Sequence, residues 1–211
     1  GLAYEHAGVE PTGALPTSID FGLQRRAEAS RFEALLVTDT QPENAMELNY
    51  FRDDIVPSMM GHGAAFGVNH GDVMFDDLSL YARYLGILNA TGIAWHHCPG
   101  NHDMNSESSD DAHSRETWKR IFAARHYAFQ HGGATFIVLD NVHYFGYNPG
   151  APRSGQYQGM IGERQLAFVR NVLAHVAPDA LVVLSMHIPL MSFQDAGHPA
   201  ENTVDRAALL R

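Results

Sequence analysis

The sequence predicts an α/β fold built in layers around buried sheets. Three observations carry this. Short apolar runs of strand length alternate with stretches whose apolar residues recur at helical spacing. The runs are dense in Val, Leu, Ile and Phe rather than alternating, as strands covered on both faces require. Four of them end in polar clusters. The order is βαβαβ, then a helix and a hairpin, then αβ and the start of another helix.

Taken in order, "FEALLVTDT" (32–40) is a buried strand. In the next stretch Leu48, Phe51, Ile55 and Met59 fall at helical steps and mark one apolar helix face. "AAFGVNHGD" is a second strand ending at Gly71-Asp72, "LSLYARYLGILN" a second helix, and "GIAWHHCPGNHD" a third strand with its turn. "SRETWKRIF" is a further helix. "YAFQH" and "ATFIVLD" form a hairpin across a Gly-Gly turn. Leu166, Val169, Leu173 and Val176 share one face of a helix, and "ALVVLSMHIPL" is a strand stopped by Pro189. "NTVDRAALLR" opens a last helix. Residues 1–30 read as linker or as the end of an N-terminal module, and 31–211 as one domain.

Composition narrows the function classes. The chain has 211 residues and 45% hydrophobic content, enough for one domain with a real core. Net charge is −10 without a Lys/Arg-rich run, which argues against nucleic acid as a general partner. An acidic protein still acts on phosphate esters when bound cations supply local positive charge. No apolar run has the 18 or so residues of a membrane span, and no signal peptide is visible at Gly1. Cys98 is the single cysteine, so an internal disulfide and a cysteine-based zinc site are excluded and the compartment stays open. A Rossmann-type nucleotide site is disfavoured, because no G-x-G-x-x-G joins a strand to a helix and no P-loop is present.

The polar clusters at the strand ends carry the chemistry. They are Asp39-Thr40-Gln41, Gly71-Asp72, Gly100-Asn101-His102-Asp103 and Met186-His187. In α/β sheets, sites assemble beyond the carboxyl ends of strands. If these ends converge, they gather carboxylates, amide oxygens and imidazoles, a donor set suited to Mn²⁺, Fe, Zn²⁺ or Mg²⁺. Gly71 and Gly100 would let the backbone turn sharply beside such a site. Each cluster alone has a simpler reading as a turn, a helix cap or a buried histidine. The weight lies in the ordered set, in which Asp39, Asp72, Asn101 and His187 are separated by 33, 29 and 86 residues.

This ordered set resembles the calcineurin-like metallophosphoesterases, whose pattern is D-x-H, G-D, G-N-H-D/E, a lone His and a closing G-H-x-H. The resemblance is nearest to a bacterial branch that writes the first motif D-T-Q. It implies a four-layer αββα sandwich and a binuclear centre. Asp39 and Gln41 would hold one metal, Asp72 would bridge, and Asn101 and His187 would hold the second. Two divalent cations about 3.5–4 Å apart would activate a water for attack on a phosphoric mono- or diester. His102 would protonate the leaving oxygen, steadied by a carboxylate for which Asp103 and Asp76 are both candidates. Gln41 in place of His favours Mn²⁺ or Mg²⁺ over Zn²⁺.

The closing G-H-x-H is absent, and Gly197-His198 is followed by Pro-Ala. The resemblance therefore reads the chain as a piece cut before its final strands. The expected partner is a small-molecule phosphate ester, with a non-catalytic scaffold of the same fold as the alternative. The branch is commonly secreted or periplasmic, which sets the expected location without excluding the cytoplasm. The loop 105–114 reads first as a solvated loop leading into the 114–123 helix, with Asp110, Asp111 or His113 on the rim of the pocket as the alternative. The segment 144–159 is long, Gly-rich and aromatic, a candidate lid whose only cation, Arg153, is a candidate contact for a phosphate.

Overall fold

The computed structural model describes residues 29–152, 156–193, 195 and 197–210. The proposed N-terminal module lies almost wholly outside the described residues, and so does Arg153. Three parallel strands, β1 (Ala34–Val37), β2 (Phe66–Asn69) and β3 (Ala94–His97), form one sheet in that order. A second sheet has the order β4 (Tyr127–His131), β5 (Ala134–Val138), β8 (Val182–Ser185). In it β4 and β5 are antiparallel, and β5 and β8 are parallel. The central strands β2 and β5 are buried along their whole length, which explains their uninterrupted apolar runs. The expected Gly-Gly hairpin turn is present, with both glycines at positive φ (56° and 85°).

Alternation of side chains across each strand divides the core. Phe66 and Val68 of β2 meet Ala134 and Phe136 of β5, so the two sheets face each other. On the far side of the first sheet, Leu35, Val37 and Trp95 pack under α1 (Ala45–Tyr50), α2 (Val56–Met59), α3 (Tyr81–Leu88) and α4 (Glu116–Phe122). On the far side of the second sheet, Ile137, Leu139 and Val182 pack under α5 (Gly162–Leu173). A short α6 (Arg206–Leu209) follows. Gly67 is needed for this packing, because a Cβ there would lie 2.4 Å from the Trp95 ring.

Three expectations change. Asn44 caps α1 by accepting from Met46 N and Glu47 N, and Glu47 reaches back to Glu43 N. The helix then passes through a π turn at Phe51–Ile55. The extra residue in that turn rotates the following face. Val56 takes the buried place and Ile55 is left 45% exposed. In α5 the inward residue after Val169 is Val172 rather than Leu173, which is 43% exposed.

The 144–159 segment is not wholly loop. Its ends pair as β6 (Val142–Tyr144) with β7 (Tyr157–Gly159), antiparallel. The turn between them leans on the 105–114 loop through Tyr147 N donating to Ser108 O and Tyr144 N donating to Asp111 Oδ1.

Candidate metal centre

The strand ends do converge. His70 N donates to Val37 O and Cys98 N to Asn69 O, which extends the parallel ladders beyond their strands. Asp39 N then donates to Gly71 O, and Gln41 N to Asp72 O, locking the first two loops together. The backbone there is left-handed at Asp39 (φ 54°), Gln41 (38°), Asp72 (51°) and Asp76 (68°). Such conformations cost about 1–3 kcal/mol each and cluster at functional sites.

Gly71 takes φ 102°, as the sequence implied. Gly100 serves a different end. A Cβ on it would lie 2.1 Å from Asp72 Oδ1 and 2.2 Å from Asp72 N, so its role is close approach.

Asp39, Asp72 and His187 each offer a donor atom, and these atoms lie within 4.8 Å of one another. His187 Nδ1 pairs with the His70 carbonyl at 2.9 Å, which directs Nε2 into the cluster. There it lies 3.0 Å from Asn101 Oδ1 and 3.5 Å from Asp72 Oδ1. Burial works to lower the His187 pKa. The hydrogen bond and charge of Asp72, and the charge of Asp39, outweigh it and raise it. Burial works to raise the Asp72 pKa. The hydrogen bond and charge of His187, with the His102 N–H, outweigh that and lower it.

Gln41 Nε2 lies 2.7 Å from Asp72 Oδ2 and 3.3 Å from Asp39 Oδ1. Turning this amide by half a revolution would present Oε1 to the same point. Neither Asp39 nor Asp72 is paired with lysine or arginine among the described residues. Carboxylate, amide and imidazole donors facing one point without a fixed cation fit a divalent metal ion.

His102 sits beside this cluster. Its N–H donates to Asp72 Oδ1 at 2.8 Å, and its Nε2 is 4.0 Å from Asp72 Oδ2. Its Nδ1 pairs with Asp76 Oδ1 at 3.0 Å, and Phe75 stacks on the ring at 4.3 Å. Asp103, expected as one candidate for the partner of His102, is used elsewhere. Its carboxylate is fully buried and accepts from Val73 N, Met74 N, Gly100 N and Tyr81 Oη. It pins the Gly-Asp loop to the Gly-Asn-His-Asp loop, and Asp76 is the carboxylate that faces the imidazole.

Sequence reasoning missed Arg115. It is fully buried, forks onto Asp140 with two bonds of 3.0 Å, and donates to Gly100 O and Asp103 O. The sequence marks it only as a cation at the start of a helix. The rim residues also resolve: Asp110 is held by His113, and Asp111 accepts from Arg125 and Tyr144 N. His198 caps the turn at Pro199–Glu201 by accepting from Ala200 N.

A crystal structure of a dimetal phosphatase from Danio rerio matches this chain with a TM-score of 0.60 and 16% sequence identity. The match covers 85% of this chain and 76% of that one. The chain shares the fold of a dimetal phosphatase. No protein-family model matches the sequence, and no curated protein does. At that identity the likeness to the dimetal phosphatase speaks for the layering of sheets and helices, and the chemistry must be argued from the donors themselves. Among the described residues no helix is long and apolar enough to cross a membrane.

Proposed function

We propose that the protein is a metal-dependent phosphoric ester hydrolase. The observation that carries this is the convergence of Asp39, Asp72, Asn101 and His187 on one point beside His102. In this reading the packing described above is a four-layer αββα sandwich. Asp39, Gln41, Asp72, Asn101 and His187 would hold the two divalent ions. When bound, the ions supply positive charge against the phosphate oxygens and lower the pKa of a water.

The remaining steps belong to the chain's own residues. Asp76 keeps the proton on His102 Nδ1 and so turns Nε2 toward the reacting centre. Phe75 fixes the ring plane. The protonated Nε2 then gives its proton to the leaving oxygen. Asp103 and Arg115 hold the Gly-Asn-His-Asp loop at the distance this needs. The resemblance to an exported bacterial branch adds the expectation of a secreted or periplasmic protein, which fractionation of the source cells tests.

The direct test is a panel of chromogenic mono- and diesters, assayed with Mn²⁺, Mg²⁺, Zn²⁺ and Fe²⁺ in turn. Metal-dependent turnover of at least one ester is expected. His102→Ala should slow esters with poor leaving groups far more than esters with good ones. Equal losses on both would remove His102 as the acid. Metal uptake without turnover of any ester would favour the scaffold reading.

A further inference from the structure

A cleft of about 410 Å³ opens beside Asp39 and runs along the π turn. Its walls are mainly apolar and include Tyr50, Phe51 and Ile55. Tyr50 is 55% exposed and Ile55 45%. The wall is a product of the π turn. A continuous α-helix would carry Ile55 inward after Leu48 and Phe51, and the inserted residue turns it out into the cleft and sends Val56 to the core. Large apolar side chains held at a surface next to a polar centre mark a binding surface.

The charges of the cleft select among ligands. Among the described residues Asp39, Glu47 and Asp54 line it, and no lysine, arginine or histidine does. Asp39 belongs both to this lining and to the candidate metal cluster, so the cleft borders the centre on the Asp39 side. A negatively charged group lying along it would meet Glu47 and Asp54 without a cation to offset them.

Resting on the hydrolase reading above, we propose that this cleft holds the alcohol portion of the substrate, and that the substrate is a phosphate ester of an apolar alcohol free of negative charge. Hydrolysis consumes one water. Its oxygen bonds to phosphorus as the bond from phosphorus to the alcohol oxygen breaks. One proton of the water ends on the alcohol and the other on the phosphate or the solvent. The apolar group is sequestered against Tyr50 and Ile55 while its oxygen faces the centre.

The test uses the full-length chain with Mn²⁺ and two esters of matched leaving-group basicity, benzyl phosphate and ethyl phosphate. Benzyl phosphate is expected to show a kcat/KM at least about tenfold higher, the scale of a small apolar contact. Ile55→Glu should bring the ratio close to one, and Tyr50→Ala should lower it in the same direction. The anionic ester 3-phosphoglycerate should be the poorest of the three and should gain on Asp54→Lys.

Calorimetry gives a readout apart from turnover: benzylphosphonate should bind about tenfold tighter than methylphosphonate. Equal kcat/KM for benzyl and ethyl phosphate, or a preference that survives Ile55→Glu, overturns the cleft proposal while leaving the hydrolase reading intact. A fall in melting temperature or in oligomeric mass on Ile55→Glu, with equal ester rates, identifies a polypeptide as the occupant and also overturns it. If no ester turns over with any metal, the hydrolase reading fails. The phosphonate pair then decides the cleft alone, and equal affinities overturn it.

Discussion

Two groups of buried polar side chains lie within a few residues of each other in this chain, and they are satisfied in opposite ways. Around Arg115 every polar atom has a mate. The guanidinium forks onto Asp140 and reaches two carbonyls, while Gln165 exchanges hydrogen bonds with the Asp140 backbone. Around Asp72, by contrast, oxygens and an imidazole nitrogen face one another across 3–3.5 Å without a fixed cation. A closed network that saturates its donors and acceptors is a structural device. A cluster of carboxylate, amide and imidazole groups raised on left-handed backbone, with no lysine or arginine among the described residues set against it, has room for a positive charge that the closed network lacks.

The contrast sets the order of effects. Arg115→Met should be the most damaging single change. It leaves the buried Asp140 with Arg125 at 3.5 Å as its remaining cation, and removes the guanidinium donor from Gly100 O and Asp103 O. A loss of about 3–5 kcal/mol is expected in urea unfolding. A loss under about 1 kcal/mol would mean the network is not structural.

A buried histidine without a mate sharpens the same point. His97 is buried, its Nδ1 has no hydrogen-bond partner among the described residues, and burial first, then the charge of His96, brings its pKa down to about 4. The folded chain therefore keeps it neutral while the unfolded chain takes a proton. Stability from this residue is complete above about pH 6.5 and falls by about 3 kcal/mol as the pH drops toward 4. Urea unfolding at pH 7, 5 and 4 should show this loss, and His97→Phe should abolish it.

On the open side the expected effect is a response to metal. Mn²⁺ at about a hundred times its dissociation constant should stabilise the protein by about 2.7 kcal/mol in thermal or urea unfolding. Asp72→Asn should remove this response, and should cost the metal-free protein less than Arg115→Met does, since the amide oxygen keeps the His102 N–H bond and only the favourable charge of His187 on the carboxylate is lost. A metal-free Asp72→Asn protein weakened like Arg115→Met would erase the distinction between the two regions. The smallest effect belongs to positioning. Asp76→Asn should lower turnover of poor-leaving-group esters by about tenfold, about 1.4 kcal/mol, while leaving good-leaving-group esters nearly unchanged.

Much of this was legible in the sequence because the determinants are local. β2 and β5 announce themselves as unbroken apolar runs, and the Gly132-Gly133 turn fixes its hairpin. Asp39, Asp72, Asn101 and His187 could be grouped because each follows a strand, and parallel strands bring their ends to one edge. What the sequence hid depends on partners far along the chain. A period of 3.6 cannot foresee the π turn that exchanges Ile55 for Val56. The β6–β7 pairing joins two three-residue strands too short to show alternation. Arg115 looks like any cation near a helix start until Asp140 arrives from β5. The choice between Asp76 and Asp103 required knowing that four donors already occupy Asp103.

The central claim is that Asp39, Asp72, Asn101 and His187 together cage divalent metal. Crystals of the protein soaked in Mn²⁺ and measured at an anomalous wavelength test it most directly. The account predicts a strong peak at coordination distance, about 2.0–2.3 Å, from Asp72 and His187 Nε2 together. A peak elsewhere, or none at saturating Mn²⁺, would contradict it.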